Sequence, residues 1–509
     1  MKSILNVFRF SRKRRICYFS QFVLVVLSAI LVVLAPVRAF AYTNLYDPSE
    51  ALRFLPPLES DSTDGDIDPS LTDFLKVTVY QKTDTGWDLV DEFTSQGNGS
   101  ERLRLEGNHY HVNWHTSVPS TGGEFRIEIA VASLEIDFLD VTLEKGSKKE
   151  KDIPADGGVI LPARGGVPIK FIVTSHPMIR ARVLTEQGNS AYDIAQVLLS
   201  EFGLSAIECA QILYNENHDA PSVGIALNLL YGLGSEDLAA LFKAIGFTAE
   251  EVASALQAVY GLDGQAAAVI LKAISFGAEE VASALQAVYG LGDQAAAAIL
   301  KAIGFGAEEI AGALQVVYGL GAQDCADILK AVGFGVEEVA TALQQVYGVD
   351  AEAGAQLLWN AGYDTMAVVS ALQDVYGKGP QESANIMTDL DAAFEDIADA
   401  LKEVWDWLMD VDIVGILKAA GWPAEYAGQW LIDLYGDAWD TMVYLLHDGG
   451  FTFWDVAYVT IIVLGAPIWV IGEALYWAGI GWVELVGIFV SLGESLVDII
   501  LNLGGLFGL

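Results

Sequence analysis

The apolar and polar residues of this chain recur with two different periods. Before about residue 182, apolar residues occupy every second position in short runs, and from residue 183 onward they follow the 3.6-residue period of a helix. The first pattern predicts β-strands and the second predicts amphipathic α-helices. The chain is therefore expected to be multidomain and mainly α-helical, with a β region before the helices.

Seven short alternating runs predict strands within residues 42–182. These runs are 76–80, 87–93, 102–105, 109–115, 125–131, 134–143 and 167–173. Glycine-containing turn clusters, such as Thr121-Gly122-Gly123, separate them. About seven short antiparallel strands at this spacing are typical of an immunoglobulin-like β-sandwich, which we predict for residues 42–182.

A 29-residue repeat fills the rest of the chain. Tyr-Gly begins at residues 231, 260, 289, 318, 347 and 376, and Gly-aromatic pairs begin at 246, 304, 333 and 362. One extra residue between 391 and 420 shifts the register, after which glycines at 421, 450, 479 and 508 keep the step. Such regularity indicates tandem structural repeats. We predict a regular array of helical hairpins over 183–391 and a divergent continuation over 392–509.

Each repeat is predicted to form two short helices. In one repeat, Val281, Leu285 and Tyr289 lie on a single helical face, and Gly290 suits a left-handed C-terminal cap. The second helix is predicted over residues 293–303. Helices of about 11 residues are marginally stable alone. The hairpins are therefore expected to stack into an α-solenoid, with Leu285 on the buried face.

Lysine and glutamate also recur with the repeat. Lysines at 243, 272, 301 and 330 form one row, and glutamate pairs beginning at 250, 279, 308 and 337 form another. We expect a solvated face on which exposed Lys–Glu pairs contribute about 0–1 kcal/mol each. The alternative is an acidic stripe that attracts cations or a basic partner.

The divergent end of the chain is rich in tryptophan and apolar residues. Nine of the 12 tryptophans lie after residue 400, and residues 456–472 form an uncharged stretch at the lower limit for a membrane span. However, Gly465-Ala466-Pro467 interrupts this stretch, and Glu473 would be costly in lipid. Two alternatives remain for residues 451–509. They pack on each other or on another copy, or they contact or enter a membrane.

The first 41 residues have the features of a signal peptide. A basic start that includes Lys2 and Arg9 leads to an apolar run over 22–35 and then to Ala39-Phe40-Ala41. The run is short for a membrane span, so cleavage before Tyr42 is predicted, and an uncleaved anchor is the alternative. The protein is expected to be exported and to reside outside the cell or at its surface.

Composition and charge exclude several classes of protein. The 509 residues are 53% hydrophobic, which is too apolar for a disordered chain. Residues 1–41 carry seven of the 28 basic residues and no acid, so the remainder holds 21 bases against 67 acids. This acidity disfavours nucleic acid as a partner, because phosphate backbones attract Lys and Arg. Cys209 and Cys325 are expected to be buried apolar residues rather than a disulfide.

Three histidines form the first candidate metal site. His109, His111 and His115 share one face of a predicted strand, an arrangement that suits Zn²⁺ or Cu²⁺. The alternative is a polar outer row on a strand whose opposite face is buried.

An acidic loop forms the second candidate metal site. Asp64, Asp66 and Asp68 suit Ca²⁺, but the EF-hand spacing fails because Pro69 and Leu75 replace the required glycine and glutamate. A solvated linker is the alternative reading of this loop. No other cofactor is predicted.

One repeat resembles the helical-hairpin repeats of TAL effectors in layout. The segment 276–281, followed by Gly292-Asp293 and by Gly304, has the same order of helix, Gly-containing loop, helix and Gly. In that family the repeats read DNA. Here the second helix is shorter, and the chain is acidic and carries a predicted export signal, so DNA binding is not expected.

No catalytic constellation is evident in the repeats. His218 and His447 are the only histidines of the repeat array, and no pair of nucleophile and base recurs. We therefore predict no enzymatic activity. We predict an exported bacterial-type structural or binding protein that uses its acidic helical scaffold for protein interaction or self-association. The alternative is a membrane-active, toxin-like or membrane-anchored protein that inserts its apolar C-terminal region.

Overall fold

The computed structural model describes residues 47–55, 67–114, 123–144, 159–162 and 166–507. Of these described residues 61% are helical, and antiparallel sheets are confined to a small N-terminal region. The predicted signal peptide, residues 1–41, lies outside the described residues. Two compact units are present, Met1–Phe247 with Ser254–Gly261 and Thr248–Ala253 with Leu262–Leu509.

The N-terminal region contains nine strands among its described residues. They are β1 (Leu52–Phe54), β2 (Leu75–Thr83), β3 (Gly86–Thr94), β4 (Arg104–Glu106), β5 (His109–Trp114), β6 (Gly123–Val131), β7 (Leu134–Glu144), β8 (Val159–Pro162) and β9 (Val167–Val173). Each of the seven alternating runs overlaps a strand, although β4 begins only at Arg104 within the run 102–105, and β1 and β8 are additional to them.

The strands form two sheets, in the orders β1-β9-β5-β4 and β3-β2-β6-β7-β8. Adjacent strands are antiparallel except for the parallel pair β7–β8. Trp114 of one sheet meets Phe125 of the other edge-to-face, with ring centroids 5.1 Å apart, in a shared core. The immunoglobulin-like arrangement is not confirmed. The two residues between Thr83 and Gly86 force β2 and β3 to pair in one sheet, whereas the immunoglobulin fold places its second and third strands in opposite sheets.

Helices fill the rest of the described chain. They are α1 (Pro177–Glu186), α2 (Ala191–Phe202), α3 (Ala206–Asn215), α4 (Ala220–Tyr231), α5 (Ser235–Ile245), α6 (Ala249–Tyr260), α7 (Gly264–Ala273), α8 (Ala278–Tyr289), α9 (Asp293–Ala302), α10 (Ala307–Tyr318), α11 (Ala322–Ala331), α12 (Val336–Ala342), α13 (Ala351–Asn360), α14 (Thr365–Asp374), α15 (Pro380–Asp389), α16 (Phe394–Val404), α17 (Asp410–Ala419), α18 (Ala424–Tyr435), α19 (Trp439–Asp448), α20 (Phe453–Ala457), α21 (Ile468–Trp477), α22 (Trp482–Ser491) and α23 (Leu496–Leu503). Turns of π-helix over Leu343–Tyr347 and Tyr458–Val463 continue α12 and α20.

Equivalent helices of consecutive repeats pack on each other. Helices α8, α10, α12, α14 and α16 contact one another in that order, and so do α9, α11 and α13. Each 29-residue repeat in this stretch is therefore a helical hairpin. The extra residue lies in the loop before α17, where four residues separate Trp405 from Asp410, against three between Tyr376 and Pro380. A surface loop absorbs an insertion at little cost, so the stacking continues beyond it.

The repeated lysines bind the next repeat rather than glutamates. Nζ of Lys301 donates a hydrogen bond of 2.9 Å to the carbonyl of Val332 at the end of α11 and lies 4.2 Å from the centre of the Phe334 ring. Lys272 and Lys330 donate in the same way, each to a backbone carbonyl 31 residues further along the chain. The expected Lys–Glu pairing is thus wrong for Lys272, Lys301 and Lys330. The ammonium groups satisfy orphan carbonyls at helix C-termini, where the helix dipole favours a cation.

The repeated glutamates cap their own helices. The second glutamate of each pair, such as Glu280, accepts a hydrogen bond from the backbone of the residue before its helix, here from Gly277 N at 2.8 Å. Glu309 and Glu338 do the same for α10 and α12. The first glutamate of each pair lies exposed on the helix surface.

Replacing Lys301 by methionine should lower the free energy of unfolding by about 1 kcal/mol, because it removes a charge-assisted hydrogen bond and a cation–π contact between repeats. The exposed Glu308, changed to glutamine, should cost a few tenths of a kcal/mol at most. Urea unfolding of the two variants measures both effects. Equal losses would show that Lys301 does not join the repeats.

The Tyr-Gly corners also join successive repeats. The hydroxyl of Tyr318 donates to the carbonyl of Leu291 at 3.1 Å, and Tyr347 donates to Leu320 at 3.0 Å.

Cys209 and Cys325 are free thiols and fully buried, as predicted. Cys209 Sγ lies 3.0 Å from the hydroxyl of Tyr231.

The array should lose stability between pH 10 and pH 12. Burial raises the pKa of Tyr289, Tyr363 and Tyr376 to about 12, from the ordinary value of 10. The unfolded chain loses these protons first, so their contribution is complete below pH 10 and declines as the pH rises through 12. Ultraviolet titration of tyrosinate, together with helical circular dichroism, tests this. Titration of all tyrosines near pH 10 in the folded protein would contradict it.

Candidate functional site

The β4–β5 hairpin brings together three side chains of metal-ligand type. Glu106 pairs with His109 across the hairpin, and His111 follows on the same face of β5. Their ligand atoms all lie within 4.8 Å of one another. His115, the third histidine proposed from the sequence, lies outside the described residues. Glu106 is not identified from the sequence, although the two-residue Gly-Asn turn that follows it is a hairpin signal that would place it opposite His109.

Basic side chains surround this cluster. Arg104 Nε donates to Glu106 Oε1 at 2.5 Å, and Glu106 Oε2 lies 2.9 Å from His111 Nδ1. Hydrogen bonds from Arg104 and His111 lower the pKa of Glu106 to about 2. Burial, followed by the charges of Lys170 and His111, lowers the pKa of His109. This lowering favours the neutral form of His109, the form in which histidine binds a metal, but Arg104 holds the carboxylate that would complete the site.

Replacing Arg104 by methionine should tighten Zn²⁺ binding by about tenfold or more, because the substitution removes a competing cation and frees Glu106. A second substitution, His109→Ala, should abolish that gain. Isothermal titration of Zn²⁺ into the full chain measures the affinities. An affinity that neither substitution changes would exclude this cluster as a zinc site.

The acidic loop contributes one described residue, Asp68, because Asp64 and Asp66 lie outside the described part of the chain. Oδ1 of Asp68 accepts hydrogen bonds from Ser70 N at 3.1 Å and from Ser70 Oγ at 2.6 Å. The carboxylate thereby caps the short 3₁₀ helix Pro69–Leu71. The structure thus gives Asp68 a local capping role.

Large apolar side chains are exposed on the last three helices. On α21, Trp469 and Trp477 each lie about one helical turn from Glu473, on the same outward face. We define the C-terminal apolar surface as Trp469, Trp477, Val483, Val490, Leu496, Ile500 and Leu501. The inward faces of these helices are well packed. Phe489 is fully buried, and Gly472 on α21 leaves the space that the Leu503 side chain of α23 fills.

The uncharged stretch 456–472 does not form one continuous helix. The π-helical turn Tyr458–Val463 ends before Gly465, which has a φ of +77°, and α21 starts only at Ile468. None of the helices in the described residues has both the length and the hydrophobicity required to span a bilayer.

The two histidines of the repeats lie apart and make local contacts. His218 Nε2 is 3.3 Å from the hydroxyl of Thr185, and the His447 ring stacks on Phe453 with centroids 4.0 Å apart. Scans of the chain against protein-family models and against curated proteins find no match.

Proposed function

We propose that this protein is an exported structural or binding protein of bacterial type that assembles through its C-terminal apolar surface. In this proposal the helical hairpins form an α-solenoid scaffold. The packing of equivalent helices on one another supports this, since each repeat of a solenoid contacts mainly its neighbours. The basic and apolar pattern of residues 1–41, with Ala-x-Ala at its end, supports export. No catalytic activity is assigned.

The exposure of the C-terminal apolar surface carries this proposal. Trp477, Val483 and Leu501 are 75%, 84% and 76% exposed. Monomeric soluble proteins rarely leave so many large apolar side chains in water. A second copy of the chain is the favoured partner. The exposed acids among these residues, such as Glu473 and Glu484, are tolerated at the rim of a protein interface but costly in lipid.

A membrane-surface role is the second candidate function. The exposed rings of Trp469 and Trp477 favour it, because tryptophan is enriched where a protein meets the interface between water and lipid. In this case the last helices would lie on the bilayer, in the manner of amphipathic helices.

Sedimentation velocity and liposome flotation of the mature full chain separate these roles. We expect an oligomer whose fraction grows with protein concentration in the absence of lipid or detergent. Flotation with liposomes by a chain that is monomeric in solution would support the membrane role instead. A monomer that does not float would contradict both. Mass spectrometry of the exported protein tests the predicted signal peptide. We expect an N-terminus at Tyr42.

A further inference from the structure

Three consecutive repeats place a lysine over an aromatic ring of the next repeat. Nζ of Lys272 lies 4.2 Å from the centre of the Phe305 ring, and Lys301 lies at the same distance from Phe334. Lys330 lies 4.6 Å from the centre of the Tyr363 ring. The aromatic corner of a repeat is therefore a place where this fold holds a cation against a ring face.

The next two repeats lack this lysine. Trp359 and Thr388 occupy the positions that follow Lys330 in steps of 29 residues. Thr388 Oγ1 accepts a hydrogen bond of 2.8 Å from Nε1 of Trp422, the aromatic residue of the following corner. The Trp422 ring is thus fixed in orientation, and no lysine in the described part of the chain takes the place that Lys330 has over Tyr363.

A groove opens at this corner, and equivalent grooves lie in the repeats on either side. The central groove has a volume of about 520 Å³, and its side-chain lining includes Asp391, Phe394, Glu395, Trp422 and Tyr426. The preceding groove, of about 470 Å³, is lined in part by Trp359, Tyr363 and Asp396. The following groove, of about 330 Å³, is lined in part by Trp454, Asp455 and Tyr458, and also by Lys418, whose Nζ lies 5.4 Å from the centre of the Phe451 ring. Aromatic rings and carboxylates thus recur along one edge of the repeats.

Three rings form the wall of the central groove. Trp422 contacts Phe394 and Tyr426 edge-to-face, with centroids 5.4 Å and 5.1 Å away, and Phe394 stacks on Tyr426 at 6.2 Å. Phe394 is buried, whereas Tyr426 is 51% exposed. The rings hold one another in place, so a ligand that contacts them pays little conformational entropy.

The carboxylates of the central groove pair with no cation among the described residues. Asp391 and Glu395 are exposed and form no ion pair with any residue in the described part of the chain. The lysines of the helical repeats already have intramolecular partners. Lys272, Lys301, Lys330 and Lys418 donate to backbone carbonyls, Lys378 and Lys402 pair with Glu382 and Asp410, and Lys243 also has a partner.

We propose that the central groove binds a lysine side chain of an extended basic peptide segment of a partner protein. The aliphatic part of the lysine contacts the three rings, and its ammonium group lies between the ring faces and the carboxylates of Asp391 and Glu395. A peptide partner agrees with the repetition of the grooves. Packed helices lie about 8–10 Å apart, which matches about three residues of extended chain. Basic residues three positions apart would therefore meet the preceding and the central groove, whose linings hold no lysine or arginine.

Fluorescence anisotropy with two synthetic peptides of equal charge tests the inference. One peptide is Lys-Gly-Gly-Lys-Gly-Gly-Lys and the other is Lys-Lys-Lys-Gly-Gly-Gly-Gly, both labelled and with blocked ends. We expect the full chain to bind the spaced peptide more tightly than the clustered one. Tyr426→Ala and Glu395→Gln should each weaken binding of the spaced peptide by about tenfold. Both side chains are exposed, and unchanged circular dichroism of the variants would confirm that they fold.

Matched control variants lie outside the grooves. Tyr444→Ala removes an aromatic residue that is 57% exposed, and Glu308→Gln removes an exposed carboxylate. Neither should change the affinity. Equal affinity for both peptides with no effect of Tyr426→Ala would reveal charge attraction alone and overturn the inference, as would absence of binding. This site deepens the proposed binding role, and its failure would leave self-association, which sedimentation measures separately, unaffected.

Discussion

Leu285→Ala is expected to lower the free energy of unfolding by about 2–5 kcal/mol, through the loss of buried apolar contacts and the cavity that remains. The Leu285 side chain is fully buried on α8, and its Cδ2 would lie 3.2 Å from a Cβ built on Gly264 of the preceding repeat. The damage should therefore extend to the neighbouring repeat as well as to its own.

Glu279→Ala on the same helix is the control for Leu285→Ala. Glu279 is exposed, and the helix-capping hydrogen bond belongs to Glu280, so the loss should be a few tenths of a kcal/mol. Urea or thermal unfolding followed by circular dichroism measures both variants. Equal losses would mean that the buried and exposed faces of α8 are assigned wrongly.

Trp477→Lys, Val483→Lys and Leu501→Lys, combined in one full-length variant, are expected to weaken self-association by about a hundredfold or more. Each substitution places a charge in an apolar contact between copies, which must then be desolvated without a partner. All three side chains are at least 75% exposed, so the fold of the single chain should not depend on them. Sedimentation equilibrium gives the dissociation constants of the variant and of the original chain.

Leu229→Lys and Val316→Lys provide the matched control for that surface. These residues are 67% and 64% exposed and lie in earlier repeats. The control should associate like the original chain. If both variants associate equally well, the C-terminal apolar surface is not the contact, and the proposed assembly loses its main support.

The alternating strands could be predicted from the sequence, but their arrangement could not. Inward and outward positions along β6 follow the period of two, as do the buried Tyr110 and Val112 of β5, whereas His111 on the outward side of β5 is also buried. The pairing of β2 with β3 depends on the length of the loop between them. The pairing of β1 with β9 joins residues 52–54 to residues 171–173, which are distant in the chain. Period alone carries no information about which strands become neighbours.

The candidate metal cluster shows the same division. His109 and His111 follow from strand parity, whereas Glu106 and Arg104 enter the cluster only because β4 pairs with β5 in one register. Arg104 already shares a face of β4 with Glu106, and the register adds His111 to the same carboxylate, which converts a plausible ligand set into a hydrogen-bonded network. A sequence motif identifies ligands by type, but the neighbouring charges depend on cross-strand pairing.

The sequence by itself determined the repeat, the helices and their ends, because these follow from local properties. The apolar stripe that includes Leu285 and the glycine after each first helix act within a few residues. The 29-residue step repeats these local features along the chain. The tertiary structure alone decided the partners of the repeated polar groups. Lys301 reaches a carbonyl 31 residues away, and Trp422 meets Thr388 across a repeat boundary, because stacking brings those groups together. Contacts between repeats depend on this packing. No local pattern in the sequence specifies which buried or half-buried polar group will form a hydrogen bond with which other group.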